Sequence, residues 1–564
     1  MPDLNAEIAD RFDELADLLE IEAANPFRVR AYRNASSLLR TLPKDVDEML
    51  AKGADLTDLP GIGDDLAAKI REFVDSGHLK ALDRIKREVP PHLADLLHVR
   101  GLGPKRVHAV YHELGIDSLE GLEKAARAGK LESLPGFGAK TQANVLSELA
   151  AMTRPARRRW ADVEPMANEL ERYLAAIKGV RDVVVAGSFR RHLETVGDLD
   201  ILVTARRDSP VMQRLGEHGE VAKVVSRGST RSTVILRSGL QVDVRVVPQV
   251  SFGAALHYFT GSRAHNIAVR TLAVKQGLKI NEYGVFRDGE RIAGRKEDEV
   301  FASVGLPWIP PELREDRGEI QAAMKDELPR LVEPEDITGD LHVHSDWGEG
   351  QDSLEALARE AKARGHAYIA ITDRGLDAAR LREQMQAIDA LDGRLEGIRL
   401  LKGAEVGIRE DGSLALAEDL LARLDLCVCA IRDHFDLPAE KQTRRVLAAL
   451  KHPLCTILAH PLGRLIPDRP AMALDMDQIL RAAARHGAVL ELNARPERLD
   501  LDDHHCRMAH ELGARLCISS DARSAGELGL IRHGVYQARR GWIGGADVVN
   551  TLPLAELKKV LRKA

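Results

Sequence analysis

Two aspartates alternate with large apolar residues in one short segment, and this pattern constrains the fold most strongly. The segment Asp198-Leu199-Asp200-Ile201 follows a Gly187-Ser188 turn after a short gap. Side chains alternate along a β-strand, so both carboxylates are predicted on one face and Leu199 and Ile201 in a core. Paired carboxylates bind divalent cations, and the N–H groups of a glycine turn can donate hydrogen bonds to phosphate. The segment therefore favours phosphoryl transfer, although a lone Asp-x-Asp is commonly only a solvated strand end.

A third carboxylate lies on a later predicted strand. The segments Thr233–Leu236 and Gln241–Val246 are expected to pair as a hairpin. Asp243 shares a strand face with Arg245, and a neighbouring strand would bring it beside the first two aspartates. In nucleotidyl transfer, a third carboxylate helps to bind the metal that lowers the pKa of the attacking hydroxyl.

A short glycine unit recurs within the first 150 residues, which are predicted to be helical. An apolar residue and Gly-x-Gly precede a helix-like segment three times, which is the pattern of helix-hairpin-helix modules. The glycines allow a tight turn, and the amides at the start of the second helix contact DNA phosphates without reading sequence. The candidate DNA-binding glycines are Gly61, Gly63, Gly101, Gly103, Gly136 and Gly138.

Length and composition favour a multidomain, non-membrane protein. A chain of 564 residues predicts three to four domains. No apolar run approaches the ~20 residues of a membrane helix, and the N-terminus lacks a secretion signal, so a cytoplasmic protein is expected. The five cysteines are an odd number and argue against a disulfide framework. The net charge of −6 does not exclude nucleic acid binding through a local basic face such as Arg154–Trp160.

The palm-like constellation resembles the family X DNA polymerases, the DNA polymerase β group. This resemblance implies that Asp198, Asp200 and Asp243 bind Mg²⁺ or Mn²⁺ and carry catalysis. It implies dNTPs and gapped or primed duplex DNA as partners, with no membrane and no obligate protein partner. The positions matched to nucleotide binding are Gly187, Ser188, Arg191, Gly197, Tyr258, Phe259, Gly261 and Asn266.

The resemblance extends to the first hairpin, which matches the small domain that binds the 5′-phosphate of a gap. Lys69 aligns with the Schiff-base lysine of the family's deoxyribose-phosphate lyase activity. Asp64 and Asp65 follow the hairpin where some relatives are basic, and like-charge repulsion would weaken phosphate binding there. Lyase chemistry at Lys69 is therefore a low expectation.

The C-terminal region is predicted to be a parallel sheet, because short apolar strands alternate with helix-length polar stretches. Its motifs resemble a PHP (polymerase and histidinol phosphatase) domain, a distorted (β/α) barrel that hydrolyses phosphoesters with about three metals. The positions matched to its metal ligands are His342, His344, Glu405, His460 and Asp521.

Three arginines stand where the PHP pattern has metal-binding histidines: Arg374, Arg432 and Arg523. A guanidinium has only donors and stays protonated, so it cannot ligate a cation. Glu405, Asp521 and Glu349 would pair with these arginines instead. A site with fewer Mn²⁺ or Zn²⁺ ions than usual, and with weak or lost nuclease activity, is therefore predicted.

The expected fold is multidomain, α+β and α/β, with a helical helix-hairpin-helix region, a nucleotidyltransferase palm with a thumb, and a PHP barrel. The expected function is a repair-type DNA-directed DNA polymerase that fills short gaps. The alternatives are a polymerase with an active PHP 3′-end nuclease, a template-independent nucleotidyltransferase, and a non-catalytic DNA-binding protein. The predicted boundaries are 1–87 for the gap-end-binding domain, 88–155 for the fingers-like domain, 156–250 for the palm, 251–318 for the thumb, 319–337 for a linker and 338–564 for the PHP domain.

Overall fold

The computed structural model divides the chain into two compact units, residues 1–155 and 156–564. The residues that it describes are 4–22, 24–40, 42, 46–51, 53–88, 93–97, 99, 102–134, 137–138, 141–142, 144–146, 149 and 157–561.

The N-terminal unit is helical throughout its described part, around a core that includes the edge-to-face rings of Phe12 and Tyr32. Its α-helices are α1 (Leu4–Ile21), α2 (Pro26–Leu39), α3 (Val46–Ala51), α4 (Asp64–Ser76), α5 (Lys80–Glu88), α6 (Leu93–Leu96), α7 (Pro104–Leu114) and α8 (Leu119–Arg127), with 3-10 turns at Leu56–Asp58 and Lys130–Ser133. Helix α4 begins directly after Gly63 and α7 directly after Gly103. Both helices end at a left-handed glycine, Gly77 or Gly115, which satisfies carbonyls of the last turn.

The larger unit begins with a five-stranded sheet in the order β2-β4-β7-β6-β5. Its strands are β2 (Val180–Val185), β4 (Asp198–Ala205), β5 (Val221–Arg227), β6 (Arg231–Leu236) and β7 (Gln241–Val246); β1 (Arg158–Arg159) and β3 (Thr195–Val196) pair separately. Strands β6 and β7 are antiparallel, as the hairpin prediction requires, whereas β4 and β7 are parallel. The helices of this part are α9 (Trp160–Ala175), α10 (Gly187–Arg190) and α11 (Val211–Gly216).

A smaller layer of helices and strands follows the sheet. It contains α12 (Phe252–Thr260), α13 (Arg263–Lys275), α14 (Glu297–Ser303) and α15 (Glu319–Met324), the antiparallel strands β8 (Leu278–Asn281), β9 (Gly284–Arg287) and β10 (Glu290–Ala293), and 3-10 turns at Gln249–Ser251, Pro311–Leu313 and Pro334–Asp336. Helix α15 packs with this layer: Glu319 is fully buried, and its Oε1 lies 2.6 Å from His265 Nδ1. Ile320 and Ala323 join the same hydrophobic core.

The C-terminal part is a parallel sheet of seven strands in sequence order. These are β11 (Gly339–Val343), β12 (Tyr368–Ile371), β13 (Arg399–Gly407), β14 (Leu426–Ala430), β15 (Ile457–Leu458), β16 (Val489–Asn493) and β17 (Leu516–Ser519). A parallel bridge between Val343 and Ala522 brings the last strand back beside the first, so the sheet is a nearly closed barrel. The surrounding helices are α16 (Leu354–Ala363), α17 (Ala378–Asp392), α18 (Glu418–Leu421), α19 (Ala439–Lys451), α20 (Met476–His486), α21 (Asp503–Glu511), α22 (Ile531–Arg540) and α23 (Leu554–Leu561), with 3-10 turns at Ala525–Leu530, Gly545–Asp547 and Val549–Thr551.

All five cysteines are buried, and none of them forms a disulfide. Among the described helices, none combines the length and the apolar character that crossing a membrane would require.

Candidate active site and metal centres

Strand register brings the three aspartates together. In the parallel pair of β4 and β7, Asp200 lies directly opposite Asp243. Asp198 is two residues earlier on β4 and therefore shares the face of Asp200. Leu199, Ile201 and Val242 are fully buried, so the apolar halves of both strands face the core as predicted.

Hydrogen bonds fix the orientation of the Asp243 carboxylate. Thr233 Oγ1 donates to its Oδ1 at 2.5 Å and Gln241 Nε2 to its Oδ2 at 2.7 Å. Arg231 approaches the same Oδ1 at 3.3 Å. These donors lie on β6 and β7, so the hairpin itself positions the third carboxylate.

Asp200 lies in an electrostatically strained environment. Burial, followed by repulsion from Asp198 and Asp243, raises its pKa to about 6. A cluster of carboxylates whose charge is so poorly compensated is suited to divalent cations, which favour oxygen ligands. The residues present therefore fit the metals that the sequence predicted.

Gly187 provides the close approach that this carboxylate needs. Its φ of +63° is in the left-handed region, and a Cβ there would lie only 2.9 Å from Asp200 Oδ2. Helix α10 begins at Gly187, so the turn carries backbone amides next to the acidic cluster. Glycine is required at this position both for its backbone conformation and for space.

An open cavity of about 590 Å³ lies over Asp198 and Asp200. Four arginines line it, and they supply the positive charge that a triphosphate or a DNA backbone would need: Arg157, Arg191, Arg263 and Arg270. The predicted positions that also line this cavity are Gly187, Ser188, Tyr258, Phe259, Gly261 and Asn266. Gly197 lies beside Arg157, whose NH1 would be 3.4 Å from a Cβ at that position.

The wall opposite the acids is formed by the end of α12 and the start of α13. Asn266 Nδ2 donates to the carbonyl oxygen of Tyr258 at 2.7 Å, which fixes the amide against the aromatic segment. The Tyr258 and Phe259 rings meet edge to face at 5.0 Å, and Arg245 lies 4.4 Å from the centre of the Phe259 ring.

The described glycines of the first two hairpins lie at a helix start or just before one. Gly63 and Gly103 are exposed N-cap residues, and Gly61 has a φ of +83°. In the third hairpin, Gln142 N donates to the carbonyl oxygen of the exposed Gly138 at 3.0 Å. Gly101 and Gly136 lie outside the described residues.

Lys69 is engaged by a carboxylate on its own helix. Its ammonium contacts the side chain of Asp65 one turn earlier, and only 14% of the Lys69 side chain is exposed. A Schiff-base lysine must present its amine to the sugar aldehyde, whereas this amine is held against a carboxylate. This pair opposes lyase chemistry.

The barrel contains a group of possible metal ligands at the ends of its strands. His344 Nε2 lies 3.2 Å from Asp521 Oδ1 and 3.2 Å from His342 Nε2. Glu405 Oε2 lies 3.8 Å from His342 Nε2 and is buried with no hydrogen-bond donor among the described residues. His460 Nε2 lies 3.4 Å from the other oxygen of Glu405. A cation would be accommodated among His342, His344, Glu405 and Asp521.

Burial and neighbouring carboxylates shift the pKa values of the histidines in this group. Burial lowers the pKa of His460 to about 3, which keeps that imidazole neutral and available as a ligand. Burial alone would depress the pKa of His342, but the charges of Glu491 and Asp521 outweigh it and raise that pKa. A proton on His342 thus balances the acids, and a bound cation would displace it.

Two arginines lie against the carboxylates of this group. Arg432 contacts Glu405 Oε1 directly, and Arg374 pairs with Glu349 and lies 4.0 Å from Glu405 Oε2. Asp521 was expected to pair with one of the three arginines Arg374, Arg432 and Arg523, but the arginine within ion-pair distance of it among the described residues is Arg498, whose Nε lies 3.8 Å from Asp521 Oδ2. The Nε of Arg523 is buried without a hydrogen-bond partner in the described part of the chain.

Several residues of these sites were missed from the sequence. Glu491 bonds His342 Nδ1 at 2.6 Å, and its position as a carboxylate within the apolar strand Val489–Asn493 was an available signal. Arg190 binds Glu297 through two hydrogen bonds of 2.7 and 2.9 Å and so ties the turn at Gly187 to α14. That long-range pair has no signature in local sequence.

Comparison with known proteins agrees with this architecture. Family models match a helix-hairpin-helix domain at residues 3–79, a SAM-like helix-hairpin-helix tandem at 93–151, a DNA polymerase beta palm at 159–252, a DNA polymerase beta thumb at 255–315 and a PHP domain at 340–494.

Curated relatives cover either the whole chain or its parts. A DNA polymerase/3'-5' exonuclease PolX of Bacillus subtilis (strain 168) is 36% identical over 570 residues, which span 99% of each chain. DNA polymerase lambda of Rattus norvegicus is 28% identical over 341 residues, 55% of this chain and 56% of the relative. A probable phosphatase of Syntrophotalea carbinolica is 31% identical over 224 residues, 37% of this chain and 90% of the relative.

The chain belongs to the family X DNA polymerases, the DNA polymerase β group, and carries a PHP domain after the polymerase domains. It is accordingly a DNA polymerase of the nucleotidyltransferase class, and the predicted fold class and family are confirmed.

Proposed function

We propose that this polymerase fills short gaps in duplex DNA by template-directed, two-metal nucleotidyl transfer. The register that sets Asp243 opposite Asp200, under a cavity lined by four arginines, carries this proposal. Asp198, Asp200 and Asp243 would hold Mg²⁺ or Mn²⁺, which supplies Lewis-acid stabilisation of the phosphates and a more acidic primer hydroxyl. Template-independent transfer is the weaker alternative, because the two helix-hairpin-helix matches favour a duplex substrate.

The chain's own residues then bind and orient the dNTP. Ser188, Arg191 and the amides of the Gly187 turn bind the triphosphate, since they face the cavity beside the acids. Tyr258, Phe259 and Gly261 lie against the sugar, and Asn266 contacts the base edge. The hairpins would bind the DNA backbone on both sides of the gap, with Gly63 and Gly103 at the helix starts. Gly101 and Gly136 lie outside the described residues and stay predictions from the sequence.

For the PHP domain we propose one bound Mn²⁺ or Zn²⁺ and little hydrolysis. The contact of Arg432 with Glu405 supports this, because a fixed cation already neutralises one oxygen of a carboxylate that would otherwise be available to metal. An active 3′-end nuclease is the second candidate. The convergence of His342, His344 and Asp521 favours it, and the Bacillus relative is named as an exonuclease.

One experiment separates these functions. Gap filling with all four dNTPs and degradation of a labelled 3′ end in Mn²⁺ are measured for the unmodified chain, Asp198→Ala and His342→Ala. We expect synthesis to disappear only in Asp198→Ala and degradation to be negligible in all three. Degradation that is lost in His342→Ala but retained in Asp198→Ala would establish the nuclease instead.

We further propose the predicted domain boundaries as working divisions, with residues 319–337 connecting palm and thumb to the PHP domain. We expect a cytoplasmic enzyme that acts on DNA and dNTPs without an obligate protein partner. Lyase activity at Lys69 is not assigned, because of the Asp65 contact.

A further inference from the structure

Helix α22 of the PHP domain packs against the chain that follows the phosphate-binding turn. The ring of Tyr536 stacks on His192 with centroids 4.0 Å apart and planes 21° from parallel. Gln537 Nε2 donates to Glu194 Oε1 at 2.6 Å. One PHP helix thus touches the polymerase immediately after Arg191.

Arg540, the last residue of α22, reaches Arg191 itself. It is 4% exposed, and its NH1 donates to the backbone carbonyl of Arg191 at 3.1 Å. The same NH1 donates to Glu315 Oε1 at 3.2 Å, and NH2 donates to Asp503 Oδ2 at 2.6 Å. Three acceptors therefore fix one buried guanidinium.

Glu315 is shared between the two arginines. Arg191 Nε donates to Glu315 Oε1 at 2.9 Å, and Arg191 NH1 also contacts the carbonyl of Thr260. The carboxylate of Glu315 thus has two cationic partners at one oxygen. Without Arg540 it would pair with Arg191 alone and neutralise the charge that a triphosphate needs.

We propose that Arg540 is a positioning residue for dNTP binding, through which the PHP domain serves polymerisation independently of its metal ligands. It holds the backbone of Arg191 directly and its guanidinium through Glu315. It also compensates the negative charge of the Glu315 carboxylate, so that the positive charge of the Arg191 guanidinium stays available to phosphate. This proposal rests on the phosphate-binding role proposed above for Arg191.

The test measures kcat and KM for a dNTP on singly gapped DNA with the full chain. Arg540→Gln is expected to raise KM about tenfold, with kcat changed less than about twofold. Arg540→Lys keeps the charge but cannot reach all three acceptors, so it should give an intermediate KM. The matched control is Arg532→Gln, on the same helix, which removes a pair of 2.8 Å with Glu164 at the same domain junction and should leave KM unchanged.

A double-mutant cycle identifies the route of the effect. In an Arg191→Ala background, Arg540→Gln should add less than about twofold to KM, because the residue through which it acts is absent. A normal KM in Arg540→Gln, or a full additional effect in the Arg191→Ala background, would overturn the proposal. If Arg191→Ala itself leaves KM unchanged, the role proposed for Arg191 is wrong instead. Thermal unfolding shows whether each variant is folded. If Arg540→Gln does not fold, the KM of Arg540→Lys is used in its place.

Discussion

Replacing Gly187 by alanine tests the coupling between the turn proposed to bind phosphate and the carboxylates proposed to bind metal. The new Cβ would stand 2.9 Å from Asp200 Oδ2, and contacts of this kind ordinarily lie near about 3.5 Å, so the carboxylate must move by about 0.6 Å. The φ of +63° adds backbone strain of about 1–2 kcal/mol. A misplacement of about 1 Å at reacting groups can cost about 10²-fold in rate, so a shift of about half that size should lower gap-filling kcat/KM by about tenfold.

The effect of backbone strain at residue 187 must be separated from the effect of displacing the Asp200 carboxylate. Gly277→Ala is the matched control, because its φ of +69° is similar and a Cβ there meets nothing within 4 Å. Both variants should lose similar stability in thermal unfolding, but only Gly187→Ala should lose the polymerase rate. The reasoning is refuted if Gly187→Ala keeps its rate within about threefold, or if Gly277→Ala loses as much.

Two further predictions concern stability. The pKa of Asp200, raised from 3.8 to about 6, means that the native state retains a proton that the unfolded chain has released. Metal-free stability should then fall by about 3 kcal/mol between pH of about 4 and about 6. Asp200→Asn should therefore stabilise the chain in EDTA at pH 8 but not at pH 4, and saturating Mg²⁺ should abolish the gain; an equal gain at both pH values would contradict this. Glu297→Ala leaves Arg190 and the fully buried Arg314 without their carboxylate and should cost about 3–5 kcal/mol in thermal unfolding, whereas Glu556→Ala, from an exposed pair, should cost under about 1 kcal/mol.

The sequence predicted those features that depend on local periodicity. Alternation on β4 and β7 placed Asp198, Asp200 and Asp243 on one face, because burying Leu199 and Val242 leaves no other orientation. The start of helix α4 after Gly63 was predictable for a similar local reason. The barrel followed from strands that alternate with helix-length segments.

The ion pairs were less predictable, because long arginine side chains choose among several acids in three dimensions. Asp521 was expected to pair with one of Arg374, Arg432 and Arg523, but the arginine within ion-pair distance of it among the described residues is Arg498. Arg540 gave no local signal, since its partners Arg191 and Glu315 are hundreds of residues away. Such contacts arise only once the barrel and the sheet have packed together.

The parallel pairing of β4 with β7 has an evolutionary consequence. The stretch 206–220, which carries helix α11 between β4 and β5, lies outside the sheet, so its length can change without altering the direct match of Asp200 with Asp243. A single codon inserted between Gln241 and Asp243 has the opposite effect, because it turns the third carboxylate toward the apolar interior. Related chains should therefore differ in the length of the segment between β4 and β5, but they should keep the spacing of residues within β7.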